Sequence, residues 1–158
     1  MAEPPSGPHT QMRGPEAGPE RSSAILYGKG CATARTPMTR VRHFRELGCW
    51  QLACELKAAL GRFVEGPQVQ RDFTFCSQVR DAAASLPRTI AEGFGRRTRA
   101  EFALSLDSAR ASLGECQAYV QDALDHGYLS PDDFKTLSTL AERTCGAVAE
   151  LQRRLGTP

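Results

Sequence analysis

Ser77-Gln-Val-Arg-Asp-Ala-Ala-Ala-Ser-Leu-Pro87-Arg-Thr-Ile-Ala-Glu-Gly93-Phe-Gly-Arg-Arg97 keeps helical spacing on both sides of a proline and then runs into a basic, glycine-flanked turn. Apolar or small residues recur at Phe75, Val79, Ala82, Leu86, Ile90 and Gly93, which is one face of a 3.6-residue repeat. A proline inside a helix removes one backbone hydrogen bond and crowds the carbonyl four residues back, costing roughly 3 kcal/mol. A stripe that continues past Pro87 predicts a helix that is kinked rather than ended there.

Three further stripes flank this one. From Glu46 to Glu65 the apolar set is Cys49, Ala53, Leu56, Leu60 and Phe63, with Trp50 and Val64 widening it before Gly66-Pro67 ends the run. Thr98-Arg-Ala-Glu101 has the form of a capping box. Behind it Phe102, Leu106, Ala109, Leu113, Cys116, Val120 and Ala123 follow in alternating steps of four and three, up to the stop at Gly127-Tyr128. Ser130-Pro131-Asp132-Asp133 places an N-cap, a first-turn proline and acids favoured by the helix dipole. They open a run of Phe134, Leu137, Ala141, Thr144, Val148, Leu151 and Leu155. Sustained three-four spacing belongs to helices packed near 20°, and short connections make neighbours antiparallel. The expected fold is all-α: an up-down-up-down antiparallel four-helix bundle with a Pro-kinked second helix, preceded by a disordered N-terminal tail. Leu47, Leu52, Leu104, Leu124, Leu140 and Cys145 fall off the main stripes, and are expected to face another subunit.

Residues 1–37 are dense in Pro, Gly, Ser and Thr, with Ala24-Ile25-Leu26-Tyr27 as their one apolar cluster. They read as a disordered tail, with Met38 as a natural start and 38–158 as the bundle domain. The tail lacks a continuous apolar h-region, which argues against a secretory signal, and its acids Glu3, Glu16 and Glu20 argue against a transit peptide. The expected location is the cytoplasm, with no membrane association. The chain has 20 Lys+Arg against 18 Asp+Glu, a formal net of +2, so only local clustering could make a nucleic-acid surface. The six cysteines include no Cys-x-x-Cys pair and there are three histidines. No metal site and no cofactor are expected.

The residues resemble a known group: the bacterial four-helix bundle proteins encoded in intervening sequences of 23S ribosomal RNA genes. That group is similar in turn to the accessory variability proteins of diversity-generating retroelements. The resemblance rests on Leu47-x-x-Trp50-Gln51, Glu55-Leu56, Ser77-Gln78-Val79-Arg80, Ala82-Ala83 and Ser85-Leu86-Pro87. It continues through Ile90-Ala91-Glu92-Gly93-Phe94-Gly95-Arg96-Arg97, Glu101-Phe102 and Ser112-Leu113-x-Glu115. Asp81 stands where a second basic residue is common. The resemblance implies a homopentamer with a central opening, an affinity for nucleic acid and no catalytic activity.

Two arginine groups carry the expected binding chemistry. Arg88, Arg96, Arg97 and Arg99 cluster around the turn into the third helix, and Arg40, Arg42, His43 and Arg45 form a second cluster just before the first. A guanidinium fork suits phosphate, and the N-terminus of the third helix is expected to add N–H donors. Binding of RNA or DNA would then be electrostatic and nonspecific. The competing expectation is that Arg88, Arg96 and Arg99 pair with Glu92 and Glu101 as solvated surface ions. Gly93-Phe94-Gly95 follows a helix and lacks a βαβ context, so it reads as a tight turn needing positive φ and not as a nucleotide loop. Glu92 and Glu115 lack Glu-x-x-His partners, and Glu92 is expected to hold Arg80 or Arg88. Cys49 or Cys54 with His43 is the one nearby nucleophile pair, with nothing to orient the histidine, so no catalytic residue is expected. His126 is expected at the C-terminus of the third helix. Trp50, Gln78, Arg80, Pro87, Glu92, Gly93, Gly95 and Glu115 are assigned structural roles. A second reading, of a different class, is a protein–protein scaffold or adaptor, for example for a reverse transcriptase, working through the off-stripe apolar residues.

Overall fold

The computed structural model describes residues 41–156. The tail at 1–37, the Met38 start, Cys31 and Arg40 lie outside the described residues. A short 3-10 turn (Phe44–Glu46) leads into four α-helices: α1 (Gly48–Phe63), α2 (Phe73–Phe94), α3 (Arg99–Asp125) and α4 (Pro131–Gly156). No strand occurs among the described residues. Each of α1 and α3 packs closely on both α2 and α4, while the backbones of the diagonal pairs stay farther apart.

Contacts along each pair fix its direction. The Phe63 ring, at the end of α1, meets Phe75 at the start of α2 edge-on at 6.5 Å. Phe75 reaches Tyr119 late in α3 at 5.8 Å, and Phe94 at the end of α2 meets Phe102 at the start of α3 at 6.1 Å. Between these ends the Ser85 and Ser112 hydroxyls share a hydrogen bond of 3.0 Å. On the other flank the Gln152 side-chain amide, late in α4, donates to Asp107 Oδ1, early in α3, at 2.6 Å. The starts of α1 and α3 and the ends of α2 and α4 therefore lie at one end of the bundle.

The three-four stripes make the core. Leu56, Leu86, Ile90, Leu106, Leu113, Leu137 and Val148 are almost wholly removed from water, each such burial contributing about 1.5–3 kcal/mol. Helix α2 runs unbroken through Pro87, which is itself buried. The missing N–H leaves the Ala83 carbonyl without its helical donor.

The caps follow the sequence closely. Thr98 and Glu101 form the capping box, with reciprocal bonds of 3.0 and 3.1 Å. Ser130 Oγ accepts from the Asp133 N–H at the head of α4. At the end of α3 the Tyr128 N–H donates to Ala123 O and the Gly127 N–H to Leu124 O. With Gly127 at φ +70°, this is a Schellman closure.

Two expectations are corrected. Leu47, Leu52 and Leu140 do not form a second apolar face: they are 5%, 6% and 2% exposed and belong to the single core. Four helices packed in a square bury more than one row of each helix, so off-stripe leucines fill the corners. Of the off-stripe set Leu104 is strongly exposed, as is Phe73 at the head of α2. The second correction concerns Gly93-Phe94-Gly95. Gly93 is helical, and Gly95 caps the helix at φ −78° with its N–H on Glu92 O. Positive φ is not the reason for either glycine. A Cβ on Gly93 would lie 2.6 Å from Ser105 Cβ and 2.7 Å from Phe102 Cδ2. The glycine is there because α2 and α3 approach closely.

Candidate nucleic-acid interface

The turn from α2 to α3 carries Arg96, Arg97 and Arg99, all exposed and without an ion pair among the described residues. The competing acid Glu101 is taken up by the capping box, its carboxylate accepting from the Thr98 N–H and hydroxyl. Sequence reasoning overestimates the α3 N-terminus as an anion site for the same reason. Two donors of that turn already have partners, and a carboxylate sits at the positive end of the dipole.

Arg42 and Arg45 reach the same end from the other side. The 3-10 turn packs on both α1 and α2 and is closed by local bonds: Arg45 N–H to His43 Nδ1 at 3.2 Å, Arg42 N–H to Glu46 Oε2 at 3.2 Å, and the Gln51 amide to Arg45 O at 2.9 Å. Arg42 and Arg45 are exposed and form no ion pair among the described residues. Arg88 does not join this group. It lies about two turns back along α2, with its Nε 4.0 Å from Glu92. Glu92 thus faces Arg88 and not Arg80. At so exposed a position the pair contributes little.

Antiparallel packing adds residues that linear spacing could not place there. Arg153 and Arg154 end α4 beside the start of α3, both bound to Glu150. The opposite end has another character, with Glu65, Asp72, Asp122, Asp125, Asp132 and Asp133 grouped against Arg62, Arg71 and Lys135. Charge that nearly cancels over the chain is thereby separated along the bundle axis.

The remaining assigned residues are structural or solvated. Trp50 is half-buried and meets Phe44 edge-on at 5.2 Å. Gln78, Arg80 and Glu115 are exposed on their helices. His126 Nδ1 lies 2.7 Å from Asp122 O, at the end of α3 as expected. A cleft of about 280 Å³ between α3 and α4, lined by Gln117, Val120, Gln121, Phe134, Ser138, Ala141 and Glu142, sits away from the basic end. Among the described residues no cluster of His, Cys, Asp and Glu could hold a metal ion, and no helix is long and apolar enough to cross a membrane.

Burial favours the neutral form of three thiols, Cys49, Cys54 and Cys116. Burial pushes Cys49 up to about 12. Burial, then the charge of Glu115, pushes Cys116 up to about 12. Burial also raises Cys54, against the pull of Lys57. Thiols ordinarily ionise near 9.0, so the unfolded chain loses these protons first. The stability due to Cys49 and Cys116 is complete below about pH 9 and falls as pH rises toward 12, by about 1.4 kcal/mol per unit for each thiol. Urea midpoints should therefore drop between about pH 9 and 10.5. At about pH 8, where the reactive thiolate is scarce, an alkylating reagent should label Cys54 and Cys145 well before Cys49 and Cys116. Labelling of Cys49 at the rate of Cys54 in the folded protein would contradict this.

The sequence model of one protein family, described as 23S rRNA-intervening sequence protein, matches residues 45–149. No curated protein matches the chain. The matched span runs from the 3-10 turn into α4 and takes in Arg45, Arg88, Arg96, Arg97 and Arg99, while Arg42 and His43 precede it.

Proposed function

This chain belongs to the family of 23S rRNA-intervening sequence proteins, and from that premise we propose that it is a non-enzymatic protein binding RNA or DNA nonspecifically through the basic end of its bundle. The observation that carries this reading is the meeting of Arg42, Arg45, Arg96, Arg97 and Arg99 at one end, none of them neutralised by an ion pair among the described residues. Guanidinium groups without a carboxylate partner are available to phosphate, and an end surface without a groove-filling helix offers nothing that reads base edges.

The test is a salt titration of binding to single-stranded RNA. With about four phosphate contacts, affinity should fall about 50-fold between 50 and 200 mM salt. Binding that is insensitive to salt would sink the electrostatic mechanism. Assembly into a homopentamer, which the family resemblance implies, would repeat the basic end around a ring, and light scattering reads the mass directly. The adaptor alternative loses the support of Leu47, Leu52 and Leu140. Of the off-stripe set it keeps Leu104, which is strongly exposed, and Leu124 and Cys145, which are partly exposed, residues of a kind that soluble surfaces commonly carry.

A further inference from the structure

The basic end also carries aromatic rings. His43 lies against Phe44 with ring centroids 4.2 Å apart and planes tilted by 36°. Phe44 meets Trp50 edge-on at 5.2 Å, and the Arg45 guanidinium lies over the Phe44 ring at 5.8 Å. The inner rungs are anchored, since Phe44 and Trp50 are half-buried and pack against the core. The outer rung is exposed, and its ring is pinned by the Arg45 N–H on Nδ1. A ring ladder fixed at its root and open at its tip, between two arginines without ion pairs, is more than the electrostatic reading requires.

We propose that His43 is a base-stacking residue, and that this end of the bundle takes single-stranded nucleic acid in preference to duplex. The inference rests on the basic-end reading and specifies its ligand. An unpaired base can lie flat on an imidazole supported from behind while Arg42 and Arg45 hold the adjoining phosphates. A duplex keeps its bases stacked on one another and offers only the phosphates. Stacking uses the face of the base, so the preference does not depend on sequence and holds for ribose and deoxyribose strands alike.

Fluorescence anisotropy on the full chain tests this, with labelled oligouridine, oligothymidine and a mixed-sequence duplex of the same length at low salt. Both single strands should bind about tenfold more tightly than the duplex. His43→Ala should abolish that difference while leaving duplex affinity and the salt slope unchanged. His43→Phe, which loses the Nδ1 cap but keeps a ring, should retain it. Equal affinity for single strand and duplex in the unaltered protein would overturn the proposal. So would a preference that survives in His43→Ala, one that is lost in His43→Phe, or one shown by only one of the two single strands. Duplex binding without any preference strikes the stacking inference alone, whereas no binding to any of the three strikes the basic-end reading and the stacking role with it.

Discussion

Gly93→Ala is expected to destabilise the folded chain by about 2–3 kcal/mol and to lower its thermal midpoint by about 10 °C. The sign is opposite to the ordinary one. Within a helix, replacing glycine by alanine usually stabilises by roughly 0.5–1 kcal/mol through lost freedom of the unfolded chain. Here the added methyl would stand 2.6 Å from Ser105 Cβ, and that atom is bonded to the α3 backbone. No side-chain rotation moves it. Phe102, 2.7 Å away, is buried and set edge-on against Phe94, so it cannot swing clear without opening the core. Relief requires α2 and α3 to part where Gly93 meets Ser105 and Phe102. Gly114→Ala and Gly146→Ala supply the contrast. Both glycines lie within helices, exposed, with nothing within 4 Å of a built Cβ, and both substitutions should raise stability by up to about 1 kcal/mol. Urea denaturation of the three variants measures this, and a Gly93→Ala midpoint at or above that of the unaltered protein would refute the close-approach account.

The glycine also shows where linear reading stops. The three-four stripes, the Thr98 box, the Ser130 cap and the Gly127 closure are local patterns, each decided by residues within one or two turns, and they appear where the sequence puts them. Gly93 has the look of a local feature as well, because glycine beside an arginine-rich turn resembles a left-handed turn. Its reason is an atom on another helix, which no spacing rule contains. The off-stripe leucines escape linear reading in the same manner. Periodicity identifies one face per helix, while a square bundle buries a face and its shoulders, so Leu47, Leu52 and Leu140 pass for outward residues. At the basic end, Arg96, Arg97 and Arg99 are visible as a run. Arg153 and Arg154 need the topology, since they come beside that run only through the antiparallel course of α4. The ring ladder is half-legible: Arg42-His43-Phe44-Arg45 is contiguous, but its anchor on Trp50 depends on the 3-10 turn folding back over α1.

Reversing two charges at that end should separate the electrostatic reading from a mere effect of net charge. Arg96→Glu combined with Arg97→Glu is expected to weaken RNA binding by about 100-fold or more at about 50 mM salt, and to flatten the salt dependence by about 1.4–1.8 in slope for two lost phosphate contacts. Stability should hardly change, because both side chains are exposed and neither forms an ion pair among the described residues; such surface substitutions usually stay within about 0.5 kcal/mol. The matched control is Arg62→Glu with Arg71→Glu, at the acidic end. It alters the net charge of the chain by the same amount, but at a bundle length from the basic turn most of that field is screened, the Debye length being about 10 Å at 0.1 M salt. Its affinity should fall no more than a few-fold. Equal losses from the two double variants would mean that RNA responds to total charge and not to the end that α2, α3 and the 3-10 turn build. A loss confined to Arg96→Glu/Arg97→Glu, with its thermal midpoint intact, would place the phosphates at the turn that the Gly93 crossing and the Thr98 cap hold in position.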